Sequence, residues 1–168
     1  MTTFYIVRHG ESKANIGISD SNDSDLTDLG IEQSKKLSFE FVNIHFDAVF
    51  SSNLIRAKRT AELVTKSLSV KTIPILSEVE ITNSSKVNKK TILTIMSFLR
   101  EVSLKYSNKM VLIISHSVIM SLLLFNLKYT TREEIYLKGF INTGYMIIEN
   151  IGNEFKIIKT EGLKIRKV

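Results

Sequence analysis

Phe4-Tyr5-Ile6-Val7-Arg8-His9-Gly10-Glu11 sets an apolar run of four directly before two basic residues and a glycine. Aromatic and β-branched residues in a short apolar run read as a buried strand. Gly10 frees the backbone behind it for a tight turn or for close approach of a ligand. Arginine and histidine at a strand's exit are costly to bury without a partner. The planar donor fork of arginine suits an oxyanion, phosphate above all. Taken alone, the octapeptide is also compatible with a surface loop that carries two basic residues by chance.

The rest of the chain narrows that choice. Its 168 residues suit one domain, spanning 1–168, with a sizeable core. Hydrophobic residues make up 43% and charged residues 24%, an ordinary balance for a globular protein. Cysteine is absent, which excludes disulfides, thiolate metal sites and a thiol nucleophile. Met1-Thr2-Thr3 carries no positive region before its apolar run, so no secretory leader is expected. The longest apolar stretch, Val118 to Phe125, is broken by Ser121 and is too short to span a bilayer. The expected location is therefore cytoplasmic, with no membrane partner.

The formal net charge of +6 favours anionic partners. Lysines and arginines are dispersed rather than blocked, and no RNA-binding or zinc-finger spacing is present. A solvated basic surface, with no nucleic-acid partner, is the reading adopted; the tail Lys164-Ile165-Arg166-Lys167-Val168 fits it. The acidic run Asp20 to Asp25 lacks the central glycine and closing glutamate of a calcium loop and reads as a solvated loop.

Strand-like and helix-like segments alternate. Thr27 is placed to cap a helix that runs to about Phe41, with Asp28 in its first turn. Phe46 to Phe50 reads as a second strand. Ser51 to Asn53 offer capping side chains to a helix whose buried face is Leu54, Ala57, Ala61, Val64 and Leu68. Val70 to Leu76 is a third strand-like run, and Pro74 within it argues for an edge position or an early exit. After a polar segment, Thr82 to Lys90, an amphipathic helix carries Ile92, Ile95, Leu99, Val102 and Tyr106. Met110 to Ile114 is apolar on both faces, as in a central strand covered on both sides. Val118 to Leu127 reads as a buried helix, and Tyr145 to Glu149 with Phe155 to Ile158 as a terminal hairpin. The fold class expected is a three-layer α/β/α sandwich, with a mostly parallel central sheet ending in an antiparallel unit.

The residues just past each strand carry the chemistry. Arg8 and His9 come after the first, a serine pair and Arg56 after the second, and Ser115-His116-Ser117 after the Met110 strand. In open α/β sheets ligands bind beyond the carboxyl ends of the strands. Two arginines and two histidines would thus meet at one edge, where like charges repel unless an anion such as a phosphoryl group joins them. A neutral histidine there can attack phosphorus, while the arginines hold the equatorial oxygens. There is no P-loop and no carboxylate cage for magnesium, and His9 and His116 lack a convincing third metal ligand, so no metal is expected. His45 lies in a polar connection and reads as a surface residue.

Arg8-His9-Gly10-Glu11-Ser12 followed by Asn15 resembles the opening motif of the histidine phosphatase superfamily, the phosphoglycerate mutase-like group. The likeness continues through Leu26-Thr27-Asp28-Leu29-Gly30 with Gln33, then Ser51-Ser52-Asn53-Leu54-Ile55-Arg56-Ala57 with Thr60-Ala61. It resumes at Val111 to His116 and, more weakly, at Asn142-Thr143-Gly144. The resemblance implies the phosphoglycerate mutase-like sandwich and a covalent phosphohistidine on His9. It also implies a phosphate pocket built from Arg8, Asn15, Arg56, His116 and Ser117. Leu76-Ser77-Glu78 matches the family's acid element, which makes Glu78 the candidate proton donor, with Glu80 as the nearest substitute. Glu11 reads as a residue that orders the loop. No cofactor is implied for a hydrolase.

The departures bear on specificity. Val79 to Asn83 lacks the glycine, aromatic and Glu-Gly pair that many relatives place there, and Ser117 stands where many have glycine. The mutase branch usually carries a longer insertion after the acidic residue. A short one leaves the pocket open to water, which favours hydrolysis over retention of the phosphoryl group. The expectation is a metal-independent phosphatase acting on a phosphorylated small molecule or a phosphoprotein, as a monomer or dimer. A mutase dependent on 2,3-bisphosphoglycerate is the alternative, and an inactive phosphate-binding module the third reading.

Overall fold

The structure is a computed structural model that describes residues 1–165 apart from 20, 22, 67, 68, 78–84, 132, 133 and 153. Six strands form one sheet: β1 (Thr2–Arg8), β2 (Ala48–Ser51), β3 (Val70–Thr72), β4 (Met110–Ser115), β5 (Lys138–Ile151) and β6 (Glu154–Ile165). Their order is β3-β2-β4-β1-β5-β6. The β1–β4, β4–β2 and β2–β3 pairs are parallel, whereas β5 runs antiparallel to both β1 and β6.

The alternation of side chains explains the layers. On β4, Val111 and Ile113 face one side and Leu112 and Ile114 the other, and all four are buried. The first side packs on α3 (Ser85–Lys105) and α4 (Ser117–Asn126) through Ile95, Leu99, Ile119 and Met120. The second packs on α1 (Asp28–Glu40) and α2 (Ile55–Thr65) through Leu37, Ala57, Ala61 and Val64. A central strand apolar on both faces is therefore covered on both, and the α/β/α sandwich is the observed architecture.

Local chemistry fixes the ends. Thr27 caps α1 as its sequence indicates, its Oγ1 accepting from the Gly30 amide at 3.0 Å. The cap of α2 is Leu54 rather than one of the polar residues before it. Ser52 Oγ instead accepts from the Leu54 amide at 3.1 Å, and Asp23 Oδ1, from the loop before α1, accepts from the Ile55 amide at 2.7 Å. The Leu68 end of that helical face lies outside the described residues.

Several boundaries differ from expectation, and β2 begins at Ala48 rather than Phe46. β3 ends at Thr72 and not at Leu76, because Pro74 opens a 3-10 turn over Pro74–Leu76; a ring that fixes φ and removes a donor suits a turn's start better than a ladder. β3 is an edge strand, as Pro74 indicated. α3 starts at Ser85, inside the segment read as polar connection; Lys89 and Lys90 are exposed, so this end of the helix shows no apolar period. The hairpin arms are also longer than the two apolar runs, with irregular register between Phe140 and Tyr145. A short helix, α5 (Glu134–Leu137), precedes β5.

Candidate active site

The parallel strands β1, β2 and β4 finish side by side, with Arg8 opposite Ser115 and Ser51 opposite Ile114. The ladder continues one residue further: the His9 amide donates to the Ser115 carbonyl at 3.1 Å and the Ser52 amide to the Ile114 carbonyl at 3.0 Å. This brings His9, Ser52 and His116 to one edge, and the first turn of α2 adds Arg56.

Hydrogen bonding assigns both imidazole tautomers. His9 Nδ1 lies 2.6 Å from the Gly10 carbonyl, which can only accept, so Nδ1 carries the proton. The lone pair is on Nε2, which accepts from Arg56 Nε at 3.2 Å. On His116, Nδ1 lies 3.5 Å from Arg56 Nη2, a group that can only donate. Its Nε2 therefore holds the proton and donates to Ser52 Oγ at 2.9 Å. The two ring centroids are 4.9 Å apart.

The same surroundings keep both rings neutral. His9 and Arg56 are each 2% exposed and His116 is fully buried. Burial pushes the His9 pKa down to about 3; Arg56 and Arg8 push the same way, against the Gly10 carbonyl bond. His116 falls to about 2, chiefly through burial and then through His9, Arg56 and Arg8. A buried neutral imidazole whose lone pair faces a guanidinium is a nucleophile in its reactive form.

Arg8 is anchored by its Nη1, which donates to the Phe140 carbonyl at 2.6 Å. Asn15 is exposed; its Oδ1 accepts from the Ser12 amide at 3.1 Å and from Asn142 Nδ2 at 3.4 Å. Ser117 opens α4 directly after His116. Glu11 orders the loop, as its sequence position indicates, with Oε1 accepting from Thr27 Oγ1 at 2.8 Å. His45 is exposed and apart from this cluster. Glu78 and Glu80 lie outside the described residues.

Three polar residues escaped the sequence reading as supports. Ser52 partners His116. Thr60 Oγ1 accepts from the Gly10 amide at 3.0 Å and donates to the Arg56 carbonyl of its own helix at 2.7 Å, tying the loop after β1 to α2. Asn142 Nδ2 donates to the His9 carbonyl at 3.0 Å. All three fall within the motif stretches, which was their one signal. Among the described residues no three or more His, Asp or Glu are grouped to hold a metal ion, and no helix is long and apolar enough to cross a membrane.

Two neutral imidazoles and a guanidinium are thus gathered at the carboxyl edge of the sheet of an α/β sandwich. A sequence model of the histidine phosphatase superfamily (branch 1) matches residues 4–95, more than half of the chain, and the protein belongs to that family. The chain is 41% identical over 78 residues to an adenosylcobalamin/alpha-ribazole phosphatase of Escherichia coli, covering 44% of this chain and 38% of that enzyme. It is 44% identical over 66 residues to a 2,3-bisphosphoglycerate-dependent phosphoglycerate mutase of Rhizobium meliloti, covering 37% of this chain and 31% of the mutase. The chain thus spans about a third of the length of these curated relatives. The fold matches a Bacillus anthracis phosphoglycerate mutase with TM-score 0.79 at 20% identity, over 96% of this chain and 92% of the other.

Proposed function

We propose that this protein is a metal-independent phosphatase that hydrolyses phosphomonoesters, of a small molecule or a protein side chain, through a phosphohistidine on His9. The observation that carries the reading is the neutral, buried His9 with its Nε2 lone pair beside Arg56. Nε2 attacks phosphorus in line, the P–N bond forms and the P–O bond to the leaving group breaks. Positive charge that develops on the ring is met by the Nδ1–H bond to the Gly10 carbonyl. Arg8, Arg56 and His116 hold the equatorial oxygens, with Asn15 and Ser117 at the rim. The leaving oxygen takes a proton from a carboxylic acid, the role proposed for Glu78; the resulting carboxylate then activates water. That water attacks phosphorus, the P–N bond breaks and orthophosphate leaves with His9 restored.

A mutase is the second reading, favoured by the 44% identity to the Rhizobium enzyme. One experiment separates the two. The chelator-treated protein and a His9→Ala variant are given p-nitrophenyl phosphate, then 3-phosphoglycerate with 2,3-bisphosphoglycerate. Phosphate release that is absent in the variant supports hydrolysis. Isomerisation without release establishes the mutase instead. Phosphate binding without either reaction leaves the binding module.

A further inference from the structure

Beside the histidine pair, a cleft of about 490 Å³ is walled by β1, α4, β5 and β6. Half-buried Arg8 of β1 and exposed Lys164 of β6 both line it. Arg8 is next along the chain to His9, and Ser117, also in the lining, is next to His116, so the cleft adjoins the histidine pair. Its described lining holds two cations and no carboxylate. Ile141 and Ile165, 43% and 73% exposed, supply an apolar flank. Lys164 sits opposite Gly139 in the β5–β6 register.

We infer that this cleft receives the leaving group, and that Lys164 selects phosphomonoesters whose leaving group carries a second anionic group, a carboxylate or a further phosphate. The inference rests on the phosphatase reading above. With phosphorus at His9 and Arg8 gripping its oxygens, a short carbon skeleton lies along Ile141 and Ile165 and its far anion meets the ammonium. Orthophosphate or an ester with a neutral leaving group engages Arg8 but makes nothing of Lys164. A solvent-exposed lysine contributes modestly and through a screened field, so the effect is one of preference and depends on salt.

Glycerol 3-phosphate and 3-phosphoglycerate differ in one carbon, hydroxymethyl against carboxylate, and make a matched pair. Steady-state hydrolysis of both is compared for the wild type, Lys164→Met, Lys164→Glu and Lys164→Arg. The wild type is expected to favour 3-phosphoglycerate. Lys164→Met should lower the ratio of kcat/KM values about fivefold through KM, with Lys164→Glu lowering it further and Lys164→Arg restoring it. The wild-type preference should shrink between 20 mM and 500 mM salt. Substituting glycerol 2,3-bisphosphate, which carries a second phosphate and no carboxylate, for 3-phosphoglycerate distinguishes a second phosphate from a carboxylate as the preferred anion. A ratio that stays the same in all four proteins overturns the role of Lys164 while leaving the phosphatase reading intact. Failure to hydrolyse either ester, with no phosphoryl label on His9, overturns both.

Discussion

Arg56 Nε lies 3.2 Å from Nε2 of His9, and the same guanidinium reaches Nδ1 of His116 at 3.5 Å. A single planar side chain therefore turns the lone pairs of both imidazoles toward itself, while the Gly10 carbonyl and Ser52 Oγ hold the two ring protons outward. Neither ring can adopt its other tautomer without setting two donors or two acceptors against each other. The rigidity of the pair comes from this closed set of bonds at the ends of three strands.

The fork geometry of Arg56 predicts that charge alone does not replace it. Arg56→Lys keeps the positive charge but loses the paired, in-plane donors. Its kcat/KM on an aryl phosphate should fall by about 10²-fold or more, the size seen when one transition-state donor is removed. Circular dichroism should show the fold retained. A lysine variant within threefold of wild type would mean that Arg56 acts only as a diffuse charge.

The depressed imidazole pKa values make stability sensitive to acid. An unfolded histidine titrates near 6.5, whereas His9 and His116 titrate at about 3 and about 2 in the folded protein. Between roughly pH 3 and 6.5 the unfolded chain binds more protons, so stability rises with pH across that window and is lost as pH falls. At pH 4.5 each ring accounts for about 2 to 3 kcal/mol of lost stability. Urea unfolding at pH 7 and pH 4.5 should show a smaller acid loss in His116→Gln than in the wild type. Nitrogen NMR should find both rings neutral at pH 5. Equal acid losses in the two proteins would contradict the assignment.

Strands and helices were legible where burial imposes a period. β4 reads correctly because both its faces are covered, and α1 because Thr27 and the first turn carry their own capping chemistry. β3 ends early because Pro74 turns the chain into a 3-10 turn although Leu76 is buried, and α3 begins early where exposed Lys89 and Lys90 carry no apolar period. Within the site, Arg8, His9, Arg56 and His116 were readable because charged residues at strand exits and in a first helical turn need a reason. Ser52, Thr60 and Asn142 were not, since hydroxyls and amides occur on any surface. Their roles come from contacts that span 64, 50 and 133 positions of sequence.

Gly30 is where two motif segments touch most closely. A Cβ there would stand 2.0 Å from the Glu11 carbonyl oxygen, which is backbone held in place by the Thr27 amide at 3.0 Å. The first turn of α1 can approach the loop after His9 only because this position lacks a side chain. Gly30→Ala should cost about 3 kcal/mol or more in urea unfolding. Thr27→Ala, which removes the cap of α1 and the hydroxyl bond to Glu11, should cost about 1 kcal/mol. The reverse order would show that the cap, and not the close approach, docks α1.

Thr60 gives the sharpest test of positioning. Its hydroxyl accepts from the Gly10 amide and donates to the Arg56 carbonyl, so it joins the loop behind the nucleophile to the helix that carries the guanidinium. Thr60→Val keeps the shape and removes both bonds, leaving the buried Gly10 amide without its partner at a cost of about 1 to 3 kcal/mol. Freed of the link, His9 Nε2 and Arg56 drift out of register, and a small misplacement of reacting groups is costly to rate. Turnover of an aryl phosphate should fall about tenfold or more in kcat, with KM changed much less, because binding still has Arg8 and Arg56. Thr60→Ser restores the hydroxyl and should recover most of kcat, an outcome that a purely steric role for the β-branched side chain would not give. A valine variant that keeps full kcat while losing stability would reduce Thr60 to a packing residue.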